Sequence, residues 1–412
     1  MSIVAGVDEI RSHFPALARR HDGHPVAYFD GPGGTQVPRA VVEAMSDYLL
    51  NHNANTGWAY PSSQETDRAL LAARSALADF IGGAPEEVVF GANMTTLTFH
   101  LGRALGRDWR AGDVVVVTEL DHHANSDTWR VLARERGVEI RTVRMRREDG
   151  RLDAEDLAAK LTPGTRLLAV GAASNALGTI NDVPQLVRAA HAVGALAFVD
   201  AVHYASHHLA DVRAWNCDVF VCSAYKFYGP HVGVLWGRRE LLEKLDAPRL
   251  EPAASLAPER LETGTLDHEG VVGAAAAVDF LAALAARDAP RRSRLALVME
   301  SLAERGAQLF GQLWEGLHAI PGVELYGLPP GAARTPTLSF TLAGHTAAAV
   351  AAALAGRGMF LSHGDFYATT VARVLGHERD GLVRAGCAAY TTTDEIARLI
   401  EGVRWISTQK HT

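Results

Sequence analysis

Short runs of consecutive apolar residues recur through the middle of the chain, and helical stretches separate them. The two clearest of these stretches cover residues 126–136 and 183–193. Runs that are apolar at every position are typical of strands that a sheet buries on both faces, as in parallel sheets. The pattern therefore predicts an α/β domain built on a mainly parallel sheet. Its predicted strands are residues 114–118, 167–170, 197–200 and 219–222.

The pattern changes near residue 290, where alternating short strands and helices follow one long helical run. Such an arrangement is typical of a smaller α+β unit that packs on the first one. The predicted elements of this part are a helix over residues 290–317, strands at 323–325 and 338–341, and helices at 346–356 and 393–408.

The two patterns divide the chain into two predicted domains, in keeping with a length of 412 residues. We expect the large domain to cover residues 21–287. The small domain is expected to combine residues 1–20 with residues 288–412.

The composition is that of an ordinary soluble globular protein, with 48% hydrophobic and 21% charged residues. A formal net charge of -7 excludes an overall basic field for nucleic acid or anionic membrane. The first residues lack the basic-then-apolar pattern of a signal peptide, and the apolar stretch 271–286 is too short and too polar to span a bilayer. We therefore expect a cytoplasmic protein without nucleic-acid or membrane partners.

The chain has three cysteines, Cys217, Cys222 and Cys387, and no C-x-x-C pair. An odd number of cysteines at these spacings favours neither a disulfide framework nor a cysteine-rich zinc site. We interpret all three as small buried apolar side chains.

Polar clusters follow the predicted strands. Because ligands bind beyond the carboxyl ends of the strands in open α/β sheets, these clusters are the first candidates for a functional site. A purely structural protein has little use for so many polar groups at equivalent positions. The clusters are residues 119–125, 174–175, 200–203 and 223–226.

Two residues in these clusters indicate a particular chemistry. Lys226 follows a buried strand between Tyr225 and Phe227, where desolvation would favour its neutral, nucleophilic amine. Asp200 ends another strand and can face a cationic ring nitrogen. A lysine for the aldehyde and an acid for the pyridinium nitrogen are what pyridoxal 5′-phosphate (PLP) requires. Residues 93–96, at the start of a predicted helix, offer N–H groups and hydroxyls for the phosphate.

A metal site is the alternative for the histidines His122, His123 and His203. No carboxylate or cysteine set accompanies them at ligand spacing, so we expect no metal.

Six motifs in order along the chain resemble those of the class V aminotransferase family of fold-type I PLP enzymes, and within it the cysteine desulfurase-like branch. The resemblance implies the PLP-dependent transferase fold, with a mainly parallel seven-stranded sheet in the large domain and a homodimeric assembly. The motifs cover residues 28–38, 121–125, 174–179, 200–203, 223–230 and 384–390.

The resemblance also implies roles for individual residues. Lys226 would bind the coenzyme aldehyde and shuttle the Cα proton, Asp200 would pair with the ring nitrogen, and His122 would stack on the ring. Thr265 resembles the threonine that family members lend to the phosphate of the neighbouring subunit. The implied cofactor-binding residues are Thr95, Thr96, Asn175, Asp200, His203, Ser223, Lys226 and Thr265, and the implied substrate-binding residues are Arg384, Asn175 and Gly34.

The sequence departs from the desulfurases where a mobile cysteine should accept sulfur as a persulfide. Tyr367 stands about where that cysteine is expected, Ser362 replaces an arginine, and Asn55 replaces a histidine in an earlier loop. Cys387 is no substitute if it is buried, because a persulfide-forming thiol must be exposed and readily ionised. We therefore expect no enzyme persulfide.

We predict a C–S lyase that acts on cysteine or an S-substituted cysteine by β-elimination. Tyr367, His363 and Asp365 are candidate general acids for the leaving group, although loop packing would explain them equally well. Transamination, epimerisation or decarboxylation by the same PLP chemistry stays open. A non-catalytic scaffold is the third alternative, and the intact set of Lys226, Asp200 and Arg384 speaks against it.

Overall fold

The apolar runs of the sequence become strands of two main sheets in the computed structural model, which describes residues 4–409. Two further sheets have two short strands each. The strands are β1 (Arg20–His21), β2 (His24–Pro25), β3 (Ala27–Tyr28), β4 (Val88–Gly91), β5 (Val114–Thr118), β6 (Glu139–Val143), β7 (Thr165–Gly171), β8 (Leu196–Asp200), β9 (Val219–Ser223), β10 (Gly233–Gly237), β11 (Val323–Tyr326), β12 (Thr337–Leu342), β13 (Met359–Phe360), β14 (Ser362–Gly364) and β15 (Leu382–Gly386).

Helices connect most of these strands. Several begin at side-chain caps: Asp182 accepts the N–H of Gln185, and Thr392 and Glu395 form a capping box. The helices are α1 (Val7–Ser12), α2 (Arg39–Asp47), α3 (Pro61–Ile81), α4 (Met94–Leu105), α5 (His123–Arg136), α6 (Ala154–Lys160), α7 (Val183–Ala192), α8 (Val212–Trp215), α9 (Arg239–Lys244), α10 (His268–Ala283), α11 (Arg291–His318), α12 (Ala347–Ala355), α13 (Thr369–Leu375) and α14 (Thr393–Ser407).

The large sheet has seven strands in the order β4-β10-β9-β8-β7-β5-β6. All neighbours pair in parallel except β10, which is antiparallel to both β9 and β4. Alternate side chains of β5 enter opposite layers: Val114 and Val116 pack with α3, α7 and α10, whereas Val115 and Val117 pack with α4 and α5. This confirms the predicted α/β fold with a mainly parallel seven-stranded sheet, and explains why its strands lack alternation in sequence.

The smaller sheet is antiparallel, in the order β11-β12-β15-β14, and α11, α12 and α14 cover it. Its core contains Leu338 and Phe340 from β12, Val383 from β15 and Leu313 from α11. This confirms the predicted smaller α+β unit in the C-terminal part of the chain.

The N-terminal segment contacts both units. Ile10 and Phe14 pack in the core of the large sheet, whereas Ala27 and Phe29 pack in the core of the small one. β3 pairs in parallel with β13, and the following loop runs to the large domain, where the N–H of Thr35 donates to the carbonyl of Tyr225 at 3.0 Å. The loop from residue 30 to 34 therefore lies between the two sheets. The domain boundaries given above stay a prediction.

Over residues 4–409, no helix combines the length and apolar character needed to cross a membrane. Within the same range, no group of three or more His, Cys, Asp or Glu side chains is arranged to hold a metal ion.

Candidate active site

The carboxyl ends of β5, β7, β8 and β9 meet at one edge of the large sheet, and the polar clusters of the sequence follow them. Gly171 at the end of β7 lies opposite Asp200 at the end of β8. The N–H of Ala172 donates to the carbonyl of Asp200 at 2.7 Å, and that of Ala201 to the carbonyl of Val221 at 2.9 Å. The parallel ladder thus brings clusters that are far apart in sequence to one place.

Lys226 occupies a buried position in the turn that follows β9. Its Nζ atom donates to the backbone carbonyls of Pro32 and Gly33, the latter at 3.0 Å. Burial and, after it, the charge of Arg384 lower the pKa of Lys226 to about 7, against the opposing charges of Asp200 and Asp30. A large share of the amine is therefore neutral near neutral pH, as a nucleophile or proton acceptor requires.

Asp200 is buried at the end of β8, and its Oδ1 accepts the N–H of Val202 at 2.9 Å. Burial raises its pKa to about 6, while the hydrogen bond and the charge of Lys226 act in the opposite direction. Asp200 is therefore mostly ionised at neutral pH and suited to face a cationic ring nitrogen.

A second buried carboxyl, that of Asp121, follows β5 and is near enough to Asp200 for the charge of Asp200 to act on it. Its Oδ1 accepts the N–H of Gly171 at 2.6 Å, and its Oδ2 is 3.3 Å from the amide nitrogen of Asn125. Burial and the charge of Asp200 together raise the pKa of Asp121 to about 8, against the opposing effect of its hydrogen bond from Gly171. At neutral pH Asp121 is thus largely protonated, so only one of the two acids carries a full charge.

His122 is fixed as the cap of α5. Its Nδ1 accepts the N–H of Ala124 at 3.0 Å, which places the ring proton on Nε2. Burial lowers its pKa to about 4, so the imidazole is neutral. The ring of Tyr367 stacks on it, with centroids 5.6 Å apart and planes at 28°. His123 instead pairs through Nδ1 with Asp127 at 2.7 Å.

Residues 93–96, the predicted phosphate cradle, lie at the N-terminus of α4. Asn93 caps it by accepting the N–H of Thr96 at 2.9 Å and the Thr96 hydroxyl at 2.8 Å. The buried hydroxyl of Ser223 accepts the N–H of Met94 at 3.1 Å, which ties the helix to the end of β9. The half-buried Thr95 lies on the same turn. Ser223 therefore fixes the position of the predicted cradle, and its own phosphate-binding role stays a prediction.

Arg384 is buried on β15 in the small sheet, and it reaches the site across the domain boundary. Its Nη1 donates to the carbonyl of Asn175 at 2.9 Å, and its Nε to the hydroxyl of Ser362 at 3.2 Å. Burial lowers its pKa to about 9, so it stays charged at neutral pH. The ring of Phe366 covers the guanidinium, with its centroid 4.1 Å from Cζ.

Asn175 and His203 link the two domains. The Asn175 amide donates to the carbonyl of Phe366 at 2.9 Å. His203 Nε2 lies 3.0 Å from the hydroxyls of both Thr335 and Thr337. Asn175 Oδ1 and His203 Nδ1 are buried and have no hydrogen-bond partner among residues 4–409. An unpaired buried polar atom is costly unless a ligand satisfies it.

The two remaining predicted residues lie at the margins of this arrangement. Gly34 packs against the ring of Tyr225: a Cβ at this position would lie 3.4 Å from Cδ2 of that ring. Thr265 is exposed and lines a cavity of about 370 Å³ together with Thr96 and His231.

These residues fit PLP. A buried amine with a lowered pKa, a buried carboxylate, a neutral stacking imidazole and a capped helix N-terminus occupy one edge of the sheet, and two orphaned polar atoms adjoin them. Lys226, Asp200, His122 and the cradle at the start of α4 would hold the aldehyde, ring nitrogen, ring face and phosphate.

Three features of the site were not predicted from the sequence. The carbonyls of Pro32 and Gly33 bind the lysine amine, Phe366 covers Arg384, and Asp121 lies near Asp200. The only sign of the carbonyl contacts in the sequence is the glycine-rich motif at residues 28–38, because a sequence does not show where backbone carbonyls point.

All three thiols are buried. Cys387 directly follows β15 in the core of the small domain, and burial raises its pKa to about 12. Burial also raises the pKa of Cys217 to about 12 and that of Cys222 still further. None of the three matches the exposed, low-pKa thiol that sulfur chemistry requires.

Comparison with known proteins gives a consistent result. The family model described as aminotransferase class-V matches residues 27–399. A cysteine desulfurase of Pectobacterium carotovorum subsp. carotovorum is 34% identical to this chain, over 97% of this chain and 98% of that protein. The apo structure of the cysteine desulfurase from Thermococcus onnurineus superimposes with a TM-score of 0.87 at 28% identity, covering 97% of this chain and 98% of the other.

A crystal structure of an Escherichia coli cysteine desulfurase in an S-sulfonic acid form is also similar. It has a TM-score of 0.83 at 26% identity and covers 97% of this chain and 98% of its own.

Proposed function

The chain belongs to the class V aminotransferase family, and we propose that it is a C–S lyase that acts on cysteine or an S-substituted cysteine without storing sulfur on a thiol of its own. It is a PLP-dependent enzyme of the cysteine desulfurase-like branch. The observation that carries the finer proposal is the pairing of a reactive lysine with three buried thiols that are hard to ionise.

Lys226 binds the coenzyme and moves the Cα proton of the substrate. Its lowered pKa lets the amine accept a proton near neutral pH, and the carbonyls of Pro32 and Gly33 hold it in place when it is free. The carboxylate of Asp200 keeps the ring nitrogen protonated. When bound, the coenzyme ring takes up the electron pair that the broken bond leaves at Cα.

Arg384 and Asn175 orient the substrate. Nε and Nη1 of Arg384 already donate to Ser362 and Asn175. The substrate carboxylate would therefore bind at Nη2, the nitrogen that faces Gly33. The charge of Arg384 acts on Lys226, and a fixed guanidinium near the lysine favours an α-amino acid as the substrate.

The elimination step breaks the Cβ–S bond. The sulfur leaves with the bonding electron pair and takes one proton. Water then hydrolyses the remaining three-carbon fragment to pyruvate and ammonia. The candidate acids are Tyr367, His363 and Asp365. Both Asp365 oxygens are occupied by the loop, by the N–H of Tyr367 at 3.0 Å and the hydroxyl of Thr369 at 2.6 Å. Tyr367 lies against His122, and we assign the leaving-group proton to it.

Product analysis tests this proposal. The purified enzyme is incubated with cysteine and with S-substituted cysteines, and pyruvate and free thiol are measured. Equal amounts of the two, absent in Lys226→Ala, are expected. Turnover that needs an added keto acid and releases no pyruvate would instead establish an aminotransferase.

We also propose a homodimer in which Thr265 serves the phosphate site of the partner subunit. The apolar side chains of Leu71 and Leu250 are 63% and 71% exposed, and they line a cavity of about 940 Å³ with Thr265. Exposed apolar side chains around one cavity are typical of a surface that another chain covers.

Subunit mixing tests this assembly. The variants Lys226→Ala and Thr265→Val are each expected to be impaired, and a mixture that has exchanged subunits should regain activity. In the mixed dimer one site has its own lysine and the partner's threonine. The absence of any rescue would mean that Thr265 serves its own subunit, or that the chain is not a dimer.

A further inference from the structure

Two consecutive aromatic residues, Phe366 and Tyr367, adopt left-handed backbone conformations, with φ of 59° and 55°. Residues with large side chains rarely adopt this region, because Cβ then crowds the following carbonyl. Strain of this kind persists only where the surroundings determine the conformation, and it is concentrated at functional sites. The pair, termed here the aromatic wall, therefore calls for a functional reason.

The loop that carries the aromatic wall is anchored on both sides. Within it, Asp365 accepts hydrogen bonds from the N–H of Tyr367 and the hydroxyl of Thr369. Across the site, the carbonyl of Tyr367 accepts the N–H of His123 at 2.7 Å, and the carbonyl of Phe366 accepts the amide of Asn175 at 2.9 Å. These bonds fix the backbone of the aromatic wall, and the contacts with Arg384 and His122 orient its rings.

The two rings cover the two ends of the substrate position. Phe366 lies over the guanidinium of Arg384, and Tyr367 stacks on His122. On the proposed function, Arg384 holds the substrate carboxylate and His122 the coenzyme ring. The aromatic wall then adjoins both residues that hold the bound amino acid and coenzyme, so the Cβ substituent can extend along it.

Because Tyr367 is exposed, the position beside it has room for a large substituent. Tyr367 is 73% exposed, so its side chain is open to solvent. A substituent that stacks on this ring extends into solvent, so no closed pocket limits its length. A small thiol such as that of cysteine is too short to gain from the contact.

We propose that the aromatic wall selects amino acids whose Cβ sulfur carries a large planar group, such as an S-aryl cysteine, over free cysteine. The inference rests on the proposed function for the identity of the reaction, whereas binding to the wall is independent of turnover. The ring of Tyr367 supplies the selectivity, and its hydroxyl supplies the proton already assigned to it.

Binding of unreactive analogues tests the proposal on the loaded enzyme. The probes are 3-(phenylthio)propanoate and 3-(methylthio)propanoate, which share the carboxylate and the thioether but lack the amine that reacts. Calorimetry should show tighter binding of the phenyl compound. Tyr367→Ala should reduce that preference about three- to tenfold, the usual contribution of an aromatic pair, while Tyr367→Phe should retain it.

Two comparisons separate this role from others. Trp405→Ala, which removes another exposed aromatic ring on α14, should leave the preference unchanged. In turnover, Tyr367→Phe should lower kcat with little change in KM, whereas Tyr367→Ala should also raise KM for the aryl substrate. Tyr367→Ala suits the test because alanine keeps the same backbone preference as tyrosine.

The proposal is overturned if the wild-type enzyme binds both probes equally, or if Tyr367→Ala keeps the preference for the phenyl group. If the binding pattern holds but no thiol is released from an S-aryl cysteine, the aromatic wall stands and the lyase assignment fails.

Discussion

The Nζ atom of Lys226 lies 3.0 Å from the backbone carbonyl oxygen of Gly33, although the two residues are 193 positions apart. The contact joins the turn that follows β9 to the loop at residues 30–34, which lies between the two sheets. It also holds a buried amine without a carboxylate in direct contact, which is why burial dominates its pKa.

Capture of the coenzyme should follow this pKa. Since the neutral amine is the nucleophile and the pKa of Lys226 is lowered to about 7, the capture rate should rise with pH and level off above about 8. Stopped-flow recording of the visible band, after PLP is added to coenzyme-free protein, measures it. A rate that keeps rising towards pH 10 would show an ordinary, solvated lysine.

Thiol reagents should leave the enzyme active. Cys217, Cys222 and Cys387 are buried and their pKa values are raised, so native protein at neutral pH should resist iodoacetamide. Peptide mapping should find all three labelled only after denaturation. Inactivation that parallels the labelling of Cys387 would contradict the assignment of a thiol-free mechanism.

Arg384→Lys should raise KM at least about tenfold, because lysine cannot reproduce the planar fork that binds a carboxylate while also reaching Asn175 and Ser362. Steady-state kinetics measures the change. The matched control is Arg373→Lys, a surface residue paired with Glu378 at 2.9 Å, for which KM should stay constant. An unchanged KM in Arg384→Lys would remove the arginine from the substrate site.

Gly233→Ala should weaken coenzyme binding. A Cβ at Gly233 would lie 2.4 Å from the backbone carbon of Asn93, so the cap of α4 would have to move. Gly311→Ala is the control: it lies in the interior of α11, no atom lies within 4 Å of its Cβ position, and alanine should stabilise the helix by about 1 kcal/mol.

Equilibrium titration with PLP and thermal unfolding measure both variants. Equal coenzyme affinity in Gly233→Ala and the wild-type protein would mean that the position of the α4 cap does not matter for the phosphate.

Much of the fold was predictable because its signals are local. The strand predicted at residues 114–118 is β5 to the residue. The strand predicted at 219–222 is one residue shorter than β9 at one end, and that at 338–341 is one residue shorter than β12 at each end. Their apolar runs reflect burial on both faces, which a sequence displays directly.

The site was predictable only in part. Lys226, Asp200 and His122 follow strands, so the topology of the sheet brings them together. The left-handed turn at Phe366 and Tyr367 depends on bonds to Asn175 and His123, which are remote in sequence. Likewise, burial of Asp121 beside Asp200 arises from strand pairing and not from either residue alone.

Whether Lys226 binds the coenzyme is tested by reducing the purified enzyme with borohydride, digesting it and mapping the peptides by mass spectrometry. A phosphopyridoxyl group is expected on Lys226, and none on any peptide of Lys226→Ala. An adduct on another lysine, or no adduct at all, would contradict this role of Lys226.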